Sequence, residues 1–342
     1  MTLETTLGCT EECFDLPEWK ELMKRDPNRH IFSTSEWNKT WWAEFKDDKE
    51  LFILTMRRDG DIAALVPLYL KREAGRAILR FVGGVDLTDY LGPICSMEDR
   101  DPVAEATVVW LKDAPVGWDE FDAHNLPVPF GFGEFLVDHA DRRGFDIALN
   151  QEDTSAVLVL PSTWEEYEGS LDSKERHELR RKRRRLAREH PDVQMRSATE
   201  ETLEADLKTF VEMHRGAEGM KGHFMRPEIA TFFERMAHAF MPLGWLRLDL
   251  LEIGGSAVAA TFGFQLERAF YLYNSAYEPE ARRLSPGLVL VSELVKRAID
   301  EGREQFDFLR GPERYKYQLG AEALPLNNVT ILADAAGSVG AG

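Results

Sequence analysis

The sequence is short of cysteine, of long apolar runs and of positive charge. Its three cysteines, Cys9, Cys13 and Cys95, are odd in number. The Cys-x-x-x-Cys pair has no second Cys/His pair to complete a zinc site, so the expectation is free thiols in a reducing compartment and no metal. No stretch approaches the ~18–20 uninterrupted apolar residues of a membrane helix. The opening MTLETTLGCTEECFDLPEW is acidic, with no apolar run after a basic start, unlike a secretory signal. A cytoplasmic protein with no transmembrane segment is expected. The net charge of -18 and pI near 5.0 oppose non-specific DNA binding by the whole chain. No Gly-x-Ser-x-Gly elbow, Walker loop, His-Glu-x-x-His or cysteine-nucleophile motif is present.

What is there is a folded chain written twice. With 342 residues, 44% hydrophobic and 30% charged, it has material for two ordinary domains. LFILTMRRDGDIAALVPLYL (51–70) is two apolar runs around Asp59-Gly60-Asp61, the pattern of a hairpin. WLRLDLLEIGGSAVAATFGFQL (245–266) repeats that form around Gly254-Gly255. A third strand follows each hairpin, AILRFVGG (77–84) and AFYLYNSA (269–276). A helix comes next: 101–113, with Asp101 as cap and Pro102 in the first turn, and 286–301, with one apolar face. Each half continues with a Phe-Asp strand, Phe121-Asp122 before Pro127 and Phe306-Asp307 before Pro312. Each ends in an apolar strand, 155–161 and 327–333.

Between the halves lies the one basic stretch, KERHELRRKRRRLARE (174–189), with nine Lys or Arg and three Glu. Residues 163–191 read as a helix, with a break near Gly169 and an end at Pro191. Leu171, Leu179 and Leu186 form a narrow apolar stripe. Arg180/Arg184 and Arg181/Arg185 are like-charge pairs four apart, which disfavour a helix unless acids compensate. The cluster has no interleaved aromatics for base stacking. Its arginines are expected to lie across acidic surface or along a phosphate-bearing donor. Helices at 201–217 and 226–240 follow, with MKGHF (220–224) as a loop between them.

This order resembles that of the GNAT acyltransferase fold. YNSAYEPEARRLSPGLVLVSELVKRAIDEGREQFDFLRGPERYKYQLG (273–320) resembles the C-terminal signature of the CelD-like acetyltransferase family, relatives of the Fem-type peptidyltransferases. TDYLGP (88–93) and the RRKRRRL helix are similar to that family too. Many relatives carry Trp where Leu319 precedes Gly320. The resemblance implies an α/β protein of mixed α+β sheets, with two tandem GNAT-like acyltransferase domains joined by a basic helix. The expected division is 1–161, an acceptor-side domain; 162–192, the linking helix; and 193–342, the domain with donor chemistry.

An acyltransferase must hold a phosphorylated thioester and present its acyl carbon to an amine. Phosphates favour helix N-termini and cations. Arg282 and Arg283 precede Ser285 at a cap position, Pro286 in the first turn and Gly287, where backbone can approach a ligand. The same loop also fits an ordinary capped helix with surface arginines. Asp307 either accepts a proton from the amine, orients a neighbour that does, or caps a turn as its twin Asp122 would. Arg310 and Glu313 have no counterparts in the first half, where Asn125 and Val128 stand. Glu313 and Lys316, three apart, also fit a surface salt bridge. Tyr315 either protonates the leaving thiolate or packs. On the acceptor side stand His223, preferred over His214, together with Tyr273, Asp89 and Tyr90. Three functions follow as expectations. The first is acyl transfer, most simply of acetyl, from acetyl-CoA or another acyl-CoA co-substrate to an amine on a small molecule or envelope precursor. The second uses aminoacyl-tRNA as donor. The third is a non-catalytic RNA-binding or scaffold role.

Overall fold

The computed structural model describes residues 3–8, 10–216 and 223–333. Cys9 and residues 220–222 of the expected loop lie outside them. The chain forms two compact units, Met1–Thr154 with Leu324–Gly342, and Ser155–Ala323. This division differs from the expected 1–161, 162–192 and 193–342, because the closing strands of the two halves change places.

In the first unit, β1 (Glu4–Gly8), β2 (Lys49–Arg58), β3 (Asp61–Glu73) and β4 (Arg76–Phe81) are antiparallel neighbours, and the short β5 (Ile94–Cys95) joins β3. The β2–β3 turn has Asp59 and Gly60 at φ +53° and +91°, the left-handed pair that matches strand twist in a two-residue hairpin. β6 (Glu120–Pro127) lies parallel to β4. Its other edge takes the C-terminal strand, β13 (Glu322–Leu332), from Leu326 opposite Pro127 to Leu332 opposite Glu120. The helix Arg100–Lys112 begins after Asp99, not Asp101; Asp101 sits in the first turn, where it meets His139 Nε2 at 2.7 Å.

In the second unit, residues 155–159 of β7 (Asp146–Val159) pair antiparallel with β12 (Gln305–Arg310). β8 (Gln194–Ser197), β9 (Leu246–Ile253), β10 (Ser256–Leu266) and β11 (Ala269–Tyr277) complete the sheet. The β9–β10 turn repeats the first hairpin, with Gly254 and Gly255 at φ +59° and +77°. The helix Pro286–Asp300 buries Leu290, Leu294, Val295 and Ala298 against this sheet. The basic segment belongs to this unit and does not link two others. It breaks at Leu171-Asp172 into Trp164–Ser170 and Ser173–Glu189. Leu171, Leu179 and Leu186 are buried in the unit's core. Such burial stabilises by about 1.5–3 kcal/mol per leucine, enough to hold a helix whose charges repel.

Those charges are mostly matched locally. Arg180 meets Glu168 at 2.6 Å, Arg181 meets Glu178 at 2.7 Å and Arg185 meets Glu189 at 3.0 Å. Arg183 pairs with Glu293 at 2.7 Å and lies 4.8 Å over the Trp164 ring. The compensating acids come from the same unit and partly from the helix itself. Helices Leu203–Arg215 and Pro227–Phe240 stand where the sequence sets them, within two residues.

Candidate active site

The site begins where two parallel strands stop pairing. β11 and β12 are in register only from Ala269 opposite Gln305 to Tyr271 opposite Asp307. β11 then bulges: Phe262 and Gly263 of β10 face Asn274 and Leu272, leaving Tyr273 as the extra residue. β12 bulges too, between Asp307 and Arg310, with Leu309 at φ +60°.

A cleft of about 440 Å³ lies in this unit. Arg282, Ser285, Pro286 and Gly287 line it at the helix start, Ser275 and Tyr277 from β11, and Tyr315 and Gln318 from the short helix Arg314–Gln318. Lys182 enters from the basic helix. Ser285 occupies the cap position in a left-handed conformation, φ +55°, and its hydroxyl caps nothing, contrary to the expected Ser cap. Neither a capping side chain nor an acidic residue covers the first turn. Gly287 sits against Tyr277; a Cβ there would lie 3.4 Å from the Tyr277 ring. Arg283 points elsewhere and meets Glu189 at 2.9 Å.

The matching helix start in the first unit has the opposite character. Asp99 stands at its cap position, Asp101 in its first turn, and Arg58 is already engaged by Asp99 at 2.7 Å. Two carboxylates at a helix start repel phosphate.

FDFLRGPERYK mostly builds the wall rather than the lining. Asp307 is 1% exposed and accepts the Leu309 N–H at 2.8 Å, fixing the β12 bulge. Lys316 is 3% exposed; its ammonium donates to the carbonyl oxygens of Leu309 at 3.1 Å and Arg310 at 2.5 Å and pairs with Glu313 at 2.9 Å. Glu313 is exposed apart from that pair. Asp307, Glu313 and Lys316 thus brace the loop 309–311, in line with the turn and salt-bridge alternatives that their spacing also allows. Arg310 is half-buried opposite Ser155 of β7. Tyr315 lines the cleft and meets Phe308 edge-on at 6.3 Å. Burial, with the Glu313 charge adding, raises its phenol well above the ordinary value, so it stays protonated.

The acceptor-side residues are not gathered in this cleft. Tyr273 packs among Phe233, Phe262 and Phe264. His223 is exposed. His214, set aside in the sequence reading, is buried, with Nε2 3.0 Å from Asn274 Oδ1, which also accepts the Ser275 N–H at 2.8 Å. Asp89 and Tyr90 belong to the first unit and are buried. Tyr90 lines a cavity of about 30 Å³ there, beside His30 and an Arg100–Asp26 pair at 2.7 Å. Sequence reading missed Lys182, Ser275, Tyr277 and Gln318. The Lys182 signal was available: it lies four residues before Leu186 on a helix with one buried stripe. Among the described residues no His/Cys/Asp/Glu group is placed to hold a metal, and no helix is long and apolar enough to cross a membrane.

Residues 173–317 match the model of the acetyltransferase (GNAT) domain. The solved structure of FemX is similar at 12% identity and a TM-score of 0.66, covering 95% of this chain and 96% of its own. A conserved protein of unknown function from Bacteroides thetaiotaomicron is similar at 12% identity and 0.62, covering 96% and 100%. The C-terminal domain from Agrobacterium fabrum assigned to a lysylphosphatidylglycerol synthetase gives 12% and 0.56, covering 93% of each chain. No curated protein matches the sequence. Residues 173–317 therefore carry a GNAT-type domain, and the fold of nearly the whole chain is similar to that of FemX.

Proposed function

We propose that the protein is an N-acyltransferase that moves an acyl group, most simply acetyl, from acyl-CoA to an amine. The donor's pyrophosphate sits at the helix start Ser285–Gly287 beside Arg282. The observation that carries this reading is the contrast between the two helix starts. The second unit's is acid-free and flanked by Arg282 and Lys182, whereas the first unit's carries Asp99 and Asp101. The first unit then serves the acceptor. Direct attack of the amine on the thioester carbonyl forms the C–N bond and breaks C–S, with the amine's proton passing to solvent. Backbone N–H groups of the bulged β11 stabilise the oxyanion. Tyr315, kept protonated, gives its proton to the departing thiolate and regains one from solvent. The CelD-like resemblance of 273–320 points to the same chemistry.

Calorimetric titration with acetyl-CoA and longer acyl-CoAs tests the reading. Micromolar binding that is lost in Arg282→Ala supports it; no binding of any acyl-CoA overturns it. The second reading, an aminoacyl-tRNA donor, draws on the fold likeness to FemX and to the lysylphosphatidylglycerol synthetase domain. It also draws on the exposed Arg184 and Arg188 of the basic helix.

A further inference from the structure

The donor cleft does not end at Arg282. Lys182 and Gln318, which line it, also line a second hollow of about 610 Å³ on the adjoining face of the basic helix. Lys174 and His177 stand on that hollow. Positions 174, 178 and 182 succeed one another along one helix face. The two carboxylates there are already engaged: Glu175 accepts from Gln318 at 3.3 Å, and Glu178 is held by Arg181 at 2.7 Å and approached by Lys182 at 3.7 Å. Lys174 makes no ion pair among the described residues, whereas Arg180, Arg183 and Arg185 are each matched by a glutamate. One arm of the cleft thus has a helix start and Arg282, and the other has Lys174, without an ion pair among the described residues, and Lys182, held only at 3.7 Å by Glu178.

A donor with a single phosphorylated group would use only the first arm. CoA carries two: a pyrophosphate, and a 3′-phosphomonoester on the ribose. We infer that Lys182 and Lys174, with Gln318 and His177 beside them, form a subsite for the 3′-phosphate, so that the enzyme distinguishes CoA thioesters from donors lacking that group. The inference rests on the acyl-CoA reading above and assigns the basic helix a substrate. A doubly charged monoester forms strong charge-assisted hydrogen bonds with ammonium groups, and Lys174 has no ion pair among the described residues to compete.

The test compares acetyl-CoA with acetyl-3′-dephospho-CoA by calorimetry on the full chain. The wild type is expected to bind acetyl-CoA about tenfold more tightly, the scale of charge-assisted hydrogen bonds to one phosphate. Lys174→Ala should shrink that ratio by weakening acetyl-CoA alone, and Lys182→Ala, which also borders the helix start, should weaken acetyl-CoA more than its dephospho form. Arg184→Ala, an exposed cation outside the hollow, should leave it unchanged. Equal, tight binding of both ligands by the wild type overturns the subsite and spares the donor reading. A ratio that survives both lysine variants, or that falls equally in Arg184→Ala, also overturns it. Failure of the wild type to bind either ligand overturns the donor reading and the subsite together.

Discussion

Lys316 donates to the carbonyl oxygen of Leu309, seven residues before it, across 3.1 Å of protein interior. The same ammonium reaches the Arg310 oxygen, and Glu313 supplies the opposite charge at 2.9 Å. Leu309 is itself held at φ +60° by its N–H bond to Asp307. Two residues therefore lock one strained bulge from opposite ends, one as acceptor and one as donor.

Lys316→Met removes the donor and strands those carbonyl oxygens inside the protein. Leaving buried acceptors unpaired costs about 1–3 kcal/mol. The expected outcome is a lower urea midpoint together with a weaker, still measurable activity. A loss of activity by several orders of magnitude with unchanged stability would instead make Lys316 a reacting group.

Gly263 tests the β11 bulge from the other side. A Cβ at this position would collide with the carbonyl oxygen of Tyr271, a backbone atom that has no other place to go. Gly263→Ala is expected to destabilise the second unit by roughly 2 kcal/mol or more, as other overpacked sites do. Gly255→Ala, at φ +77° with open space around it, should cost less, about 1 kcal/mol. Thermal melts of the two variants check the order.

His124 gives the first unit a pH dependence. Burial opposes its charge, but hydrogen bonds to Asp122 at 2.9 Å and Glu152 at 2.6 Å outweigh burial and lift its pKa to about 9. Asp122, also bound by Arg80 and Asn328, is held down at about 2 against its own burial. The stability from the raised histidine is fully present below pH 6.5 and fades as pH rises towards 9. That from the lowered aspartate is present above pH 3.8 and fades as pH falls towards 2. The histidine's share is about 2 kcal/mol after allowing for solvent screening. Urea denaturation at pH 6 and pH 9.5 should show this loss in the wild type and not in His124→Gln. The His124 ring protons should titrate near pH 9 by NMR.

Local chemistry made much of the fold legible. Asp59-Gly60 and Gly254-Gly255 announce their hairpins because a left-handed pair closes the two-residue turn that strand twist favours. Leu171, Leu179 and Leu186 announce the buried side of the basic helix. The helix start after Arg282 was visible in Ser285-Pro286-Gly287, although the left-handed Ser285 conformation that leaves it uncapped was not. The exchange of closing strands was hidden, because the apolar alternation of 155–159 and 327–332 serves either sheet equally well. Only long-range pairing decides between them. For Lys316 the spacing to Glu313 gives the salt bridge, while its bonds to the carbonyls of Leu309 and Arg310 depend on a bulge no pattern predicts. Lys182 stands in a run of like charges, and only its spacing to the buried Leu186 marks it as the one that turns into the cleft.

Tyr315 carries the last prediction. It lines the cleft alongside Ser275 and Gly287, and its phenol is held protonated, so it is equipped to give a proton and not to take one. Tyr315→Phe keeps the ring's edge-on contact with Phe308 and removes only the hydroxyl. If the hydroxyl protonates the leaving thiolate, kcat should fall by about 10²-fold, within the span of general acid catalysis, while acyl-CoA binding measured by calorimetry stays as it was. The defect should narrow with thioesters whose thiols are more acidic, because a better leaving group needs less help. A variant that binds donor and turns over like the wild type would reduce Tyr315 to a packing residue. The thiolate's proton would then have to come from solvent in the cleft.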